Sequence, residues 1–200
     1  MTTTLPGRAA LALLLGAALA GCPLPQPLPE YPANGTITPP RIQSDTLTPV
    51  DTVLLVDAAC ATEPSFTLSV TLIDENTIEL VEARWFADYD PARAATVTPI
   101  PPIQKIEGPA DGVSIERRLD PFVFRPYGFD PFGSEQAFRD GGGLHVVELV
   151  VSNNFAPEPA SPRPWRTPLK TATQTFETQV YRWVFHYVPT GTAGARCGYP

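Results

Sequence analysis

Phe66-Thr67-Leu68-Ser69-Val70-Thr71-Leu72 alternates four apolar side chains with three hydroxylic ones. Successive side chains of an extended chain point to opposite faces, so this stretch predicts a strand with one apolar and one hydroxylic face. Working outward, Asp74-Glu75-Asn76 supplies a turn, and Ile78 to Ala87 follows as a second strand, with Val81, Ala83 and Trp85 on one side and Glu82 and Arg84 on the other. Upstream, Thr52 to Val56 makes a short opening strand. Downstream, the turn Asp140-Gly141-Gly142-Gly143 leads into Leu144 to Ser152, where His145, Val147, Leu149 and Val151 share a face. Thr178 to Val188 is a long strand with Tyr181, Trp183, Phe185 and Tyr187 on one face and Val180, Val184 and Val188 on the other, which predicts burial on both sides. Val113 to Leu119 and Phe122 to Phe124 are shorter candidates, and Pro121 and Pro126 confine them to edges or bulges. Between Asn153 and Thr175 five prolines mark a long excursion rather than a hairpin. The class expected is all-β.

Composition agrees with a folded chain and narrows its partners. Of 200 residues 43% are hydrophobic, and 14 Lys and Arg stand against 21 Asp and Glu, a net charge of −7. An acidic chain is poorly suited to displace counterions from phosphate backbones, so nucleic acid is not an expected partner. Proline, at 25 residues, is well above average use and limits long helices.

The N-terminus carries an address. Arg8 and the amino terminus precede twelve uncharged residues, Ala9 to Ala20, a run too short to span a bilayer as a helix. Immediately after it, Leu19-Ala20-Gly21-Cys22 resembles the lipobox of bacterial lipoproteins: a leucine, two small residues and the cysteine. That resemblance implies a signal peptide over residues 1–21, thioether lipidation of Cys22 and acylation of the new amino terminus, palmitate being a typical chain. Two or three acyl chains make a durable anchor where one is marginal. The chain is thus expected to be exported and bound to the membrane of the cell envelope through its lipid. Pro23 rather than Asp follows the cysteine, which in a Gram-negative cell points to the outer membrane. Residues 22–49, with eight prolines from Pro23 to Pro49, are expected to form an extended tether to a domain over residues 50–200.

With Cys22 assigned to lipid, Cys60 and Cys197 remain, and outside the cytosol they are expected to pair as a disulfide. A reactive thiol or metal pair is the alternative, with no histidine nearby to support it. About seven short strands with a Trp in the third are the pattern of an immunoglobulin-like antiparallel β-sandwich. Locally, Gly143-Leu144-His145-Val146-Val147-Glu148-Leu149-Val150-Val151-Ser152-Asn153 resembles the penultimate strand of PKD-type bacterial Ig-like domains. In such a sandwich the first and last strands can lie side by side and parallel, which would bring the two cysteines together and staple the tail, residues 190–200, to the domain.

Chemistry is sparsely signalled. There is no G-x-S-x-G, H-E-x-x-H, P-loop or G-x-G-x-x-G motif, so no catalytic residues, metal or cofactor are expected. His145 is expected to be a hydrogen-bonded core residue and His186 a sheet-surface residue beside Arg182. Asp88-Tyr89-Asp90 places two carboxylates in a turn, short of the six to eight oxygens that Ca²⁺ takes, and is expected to be a solvated turn. Asp120-Pro121-Phe122 and Asp130-Pro131-Phe132 are turn starters. Tyr127, Phe129 and Phe132, within an aromatic-rich segment, are the candidate binding residues; core packing is the competing role for these rings. The expected function is a non-enzymatic binding or assembly module for an envelope protein. Glycan binding through exposed aromatics is the second possibility, and a hydrolase built on the loops from Pro99 to Asp140 the third.

Overall fold

The heptapeptide at Phe66 is extended, but it breaks in the middle. In the computed structural model, which describes residues 35–60, 63–93, 97–126, 140, 142–157 and 165–199, it becomes strands β4 (Ser65–Leu68) and β5 (Thr71–Ile73). Between them Ser69 exchanges backbone hydrogen bonds with Thr48 at 2.9 Å on the far side. The other strands are β1 (Gly35–Ile37), β2 (Arg41–Ile42), β3 (Val53–Asp57), β6 (Val81–Ala87), β7 (Ile100–Ile106), β8 (Glu116–Arg118), β9 (Phe122–Phe124), β10 (Leu144–Ser152), β11 (Gln174–Phe176), β12 (Gln179–Val188) and β13 (Gly198–Tyr199). The described chain is all-β, and its strands are more numerous and shorter than the seven expected because the second layer is interrupted where its strands bend.

One layer is a five-stranded sheet in the order β3-β12-β10-β6-β7. The other consists of two short sheets, β13-β4-β9 and β2-β5-β8, placed end to end by the near-continuity of β4 with β5 and of β8 with β9. The pairing is mixed rather than purely antiparallel: β3 runs parallel to β12, with Leu54 opposite Phe185, and β13 runs parallel to β4. The first strand of the large sheet thus lies beside its last and parallel to it, an arrangement that the immunoglobulin-like resemblance allowed.

The core lies between the layers. Leu54, Val56, Trp85, Val147, Leu149, Trp183, Phe185 and Tyr187 of the large sheet meet Phe66, Leu68, Leu72, Phe122 and Phe124 of the other layer, all buried. The Trp85 ring stacks on Phe122 with centroids 4.5 Å apart, and Phe66 meets Phe185 edge-on at 4.9 Å. At roughly 25 cal/mol per Å² of apolar surface, rings of this size dominate the stabilisation of a domain so rich in turns. Only one face of β12 is fully buried: Trp183, Phe185 and Tyr187 point inward, whereas the opposite face is half-buried and its Arg182 side chain is 60% exposed.

Two differences from the sequence expectation follow from proline. β7 contains Pro101 and Pro102 yet pairs with β6; among the described residues it is an edge strand, and the two prolines fall where its register with β6 shifts, between Gln104 opposite Ala83 and Ile100 opposite Trp85, so they occupy no ladder position. The segment 22–49 was expected to be tether throughout, but residues 35–49 belong to the fold. β1 pairs in parallel with β11, β2 pairs with β5, Leu47 is buried, and the Pro49 carbonyl accepts the Trp183 indole N–H at 3.2 Å. Proline content marked these residues as extended, and extended they are, but their apolar side chains and carbonyls have partners.

The sandwich has two poles. At the N-terminal pole lie β1 and β2, the turn after β5, the loop between β7 and β8, and the end of β10. Here Asn153 Nδ2 donates to Asp74 Oδ2 at 3.1 Å, and Arg117, 3.6 Å from Asp74 and buried with it, donates to the Asn76 carbonyl. At the opposite pole Cys60 and Cys197 form the expected disulfide, with Cα atoms 5.6 Å apart. There Gly198 passes so close to β4 that a Cβ would sit 2.7 Å from the Ser65 carbonyl oxygen, so no larger residue fits without a backbone shift. The nine-residue β10 sets the poles about 30 Å apart.

Candidate functional site

The side of the large sheet that faces away from the core carries a second, smaller apolar cluster of Phe86, Val150 and Phe155, with Tyr89, Trp165 and Val180 packed on it. Phe155 and Trp165, from the described parts of the excursion after β10, pack on this face, where Phe155 bridges to Pro168. Its cover is built on arginine. The Arg84 guanidinium lies 3.9 Å from the centroid of the Phe155 ring, 5.4 Å from that of Trp165, and donates to the Trp165 carbonyl at 2.9 Å. Arg166 lies over the Tyr89 ring at 4.0 Å. Such stacking places a cation where ring quadrupoles attract it and few waters compete.

Beside this cover opens a groove of about 830 Å³, lined by Asp88, Tyr89, Glu148, Arg166, Thr167 and Arg182 among others. Glu148, whose side chain is only 6% exposed, is its electrostatic centre: it accepts from Arg166 Nη1 and from Arg182 Nε, the latter at 2.6 Å. Alternation explains the meeting. Glu148 is flanked by the inward-facing Val147 and Leu149, and the β10–β12 register sets it directly opposite Arg182. The lining sets two carboxylates, Asp88 and Glu148, against two guanidiniums, so their formal charges balance, and the Arg182 side chain is 60% exposed. The groove can therefore offer hydrogen-bond donors to a hydroxylated group.

At the groove's end, Asp88 adopts a left-handed backbone, with φ of 50°. Its Oδ1 accepts the Val146 N–H at 2.8 Å, and its Oδ2 lies 2.6 Å from His145 Nδ1. Asp tolerates this conformation better than most residues because a short polar side chain bonds locally. His145 is fully buried, with Phe124 and Tyr187 edge-on to its ring. It is thus a hydrogen-bonded core residue, as expected, and His186 lies on the outer face. Asp88 departs from the solvated turn expected of it. Alternation could place His145 in the core but gave no sign of which residue would satisfy its ring nitrogen, because the partner comes from a turn 57 residues away. Asp90 bonds the Ala92 N–H and Arg93, so the two carboxylates face the protein's own donors. Among the described residues no group of three His, Cys, Asp or Glu side chains is placed to hold a metal.

No family model, curated protein or solved structure matches the chain. Geometry and sequence alone therefore carry any functional reading. Of the sequence-derived site residues, Cys60 and Cys197 are brought together, whereas Cys22, Tyr127, Phe129 and Phe132 lie outside the described residues. The aromatic face of β12 and the rings of β9 fill the core. The large apolar side chains exposed among the described residues are all aliphatic. The Arg–Glu–Arg groove was not anticipated; its one signal in the sequence was a charged residue, Glu148, inside an otherwise aliphatic strand.

Proposed function

We propose that the chain is a lipid-anchored lipoprotein of the bacterial cell envelope, whose immunoglobulin-like sandwich serves as a non-enzymatic binding or assembly module for an envelope protein. The observation that carries this is Leu19-Ala20-Gly21-Cys22 directly after the apolar run. The cysteine count supports it: of three cysteines, Cys60 and Cys197 are bonded to each other, which leaves Cys22 as the thiol available for lipid. A bridged pair also suits an exported protein, since such bridges persist outside the reducing cytosol. The parallel β3–β12 pair and the strand at Leu144 support the immunoglobulin-like reading within the all-β class. The non-enzymatic reading is supported by His145, whose ring is committed to Asp88 and the core.

The test is Cys22→Ser in the native cell. The variant is expected to lose incorporation of labelled acyl chains and to move from the membrane to the soluble fraction; retention on the membrane without label would overturn the anchor. For the partner, proximity crosslinking in intact cells should capture one specific envelope protein, and capture should fall when groove residues such as Arg182 are replaced.

A further inference from the structure

The groove is not the only unusual surface. Ile78 at 89% and Val113 at 78% are the two most exposed large apolar side chains described, and Ile115 is 44% exposed. All three stand on two loops of the N-terminal pole, Ile78 between β5 and β6 and the other two between β7 and β8. These loops are one structure. Asp74 N–H donates to the Ile115 carbonyl at 2.7 Å, Arg117 bonds the carbonyls of Ser114 and Asn76, and Gly108 passes so close to Thr77 that a Cβ would lie 2.4 Å from its carbonyl oxygen. Asp111 Oδ1 accepts the N–H groups of Val113 and Ser114, both at 3.0 Å, which hold the loop and keep the Asp111 carboxyl below the usual carboxylate range. The aliphatic tips are therefore presented by a braced frame. Burying them here would have been easy for a chain with so many apolar residues, and single exposed valines need no explanation, but three on adjoining loops do.

The chain itself enters the domain at this pole. β1 and β2 lie here, Arg41 sits opposite Ile73, and Arg41 pairs with Glu75 at 3.1 Å. Only twelve residues separate Cys22 from Gly35, a reach of about 40 Å along a polyproline II path. We infer that the N-terminal pole is a membrane-contacting surface, on which Ile78, Val113 and Ile115 insert into a zwitterionic lipid surface. This rests on the lipid-anchor reading for its proximity and on the exposed loops for its contact. Charge selects the lipid. Glu107 and Asp111 are exposed on the same loop, and Glu79 is half-buried beside Ile78. Carboxylates at the rim repel anionic headgroups and accept hydrogen bonds from the ammonium of phosphatidylethanolamine. A tether this short keeps the pole at high effective concentration near its surface, so a weak contact suffices.

The contact is tested apart from the anchor with residues 22–200 carrying Cys22→Ser, a chain that keeps the whole described fold. Co-sedimentation uses vesicles of phosphatidylcholine with phosphatidylethanolamine, and the same vesicles with phosphatidylglycerol added. The chain is expected to partition onto the first and more weakly onto the second. The triple variant I78S/V113S/I115S is expected to bind roughly tenfold less or weaker still, with an unchanged circular dichroism spectrum. An environment-sensitive fluorophore at V113C should shift to the blue on vesicles, and one at L144C, at the opposite pole, should not. Equal partitioning of the triple variant, or equal shifts at both labels, would overturn the contact. Neither result bears on whether Cys22 carries lipid, which the labelling experiment decides separately.

Discussion

At the residue scale the buried charges make the sharpest commitments. Glu148 is buried and answers two guanidiniums, one of them, Arg166, with its side chain only 13% exposed. Glu148→Gln removes the charge while keeping the shape, and leaves Arg166 desolvated without an anion. Breaking a buried pair from one side costs about 3–5 kcal/mol, whereas the arm to the exposed Arg182 contributes little. Glu148→Gln is thus expected to lower the urea midpoint markedly and Arg182→Gln hardly at all; equal losses would show that the exposed Arg182 arm, not the buried Arg166 one, carries the weight. Asp74 is a different case. Burial pushes its carboxyl above the usual range, outweighing the Asn76 N–H, Asn153 and the nearby Arg117 that stabilise the anion. A carboxyl whose proton is held more tightly in the fold contributes stability that is complete below the unfolded value and is lost as pH rises through the folded one. The stability advantage of the native chain over Asp74→Asn should therefore shrink between about pH 3 and pH 7. An advantage that grows over that interval would mean that the pairing with Arg117 outweighs burial.

At the scale of elements, the segment from β1 to Leu47 is where composition and packing part company. If it were linker, Leu47→Ala would be neutral; buried in the core at 3% exposure, it should cost about 2–5 kcal/mol in denaturant unfolding. An unchanged midpoint would return residues 35–49 to the tether. The same contrast explains what could be seen beforehand. Leu144–Ser152 was legible to the residue because one face alternates strictly and a glycine turn fixes its start. β7 was not, because Pro101 and Pro102 signal a break, and its place at the sheet edge together with the register shift opposite Arg84 makes them harmless. The strand at Phe66 was legible in its faces but not in its interruption at Ser69, which depends on Thr48 arriving from the other side. The groove was least legible: Glu148, Arg166 and Arg182 meet only because β10 pairs with β12 and the excursion folds back over both, and no local pattern encodes that return.

At the scale of the molecule, the two ends of the domain are fastened differently. The N-terminal pole is closed by polar bonds among Asp74, Arg117 and Asn153, the other by a covalent bond between residues 137 apart in sequence. A cross-link that closes so long a loop restricts the unfolded chain most, and chain entropy alone gives about 4–5 kcal/mol, native strain commonly subtracting from it. The folded state needs the bond less than the unfolded state is restrained by it. Beyond β3 and β12, the tail is held by backbone bonds of its own, Arg196 N–H to the Leu55 carbonyl at 2.9 Å and Asp57 N–H to the Arg196 carbonyl at 3.2 Å. The double variant C60A/C197A is therefore expected to keep its β-sheet circular dichroism and a cooperative transition while its urea midpoint falls by several kcal/mol in equivalent stability. Hydrogen exchange should quicken first at Arg196 and Asp57, where the tail would fray, and leave Leu149 and Trp183 slow until global unfolding. Loss of all sheet structure would instead mean that the parallel pairing of β3 with β12 cannot hold without the covalent bond.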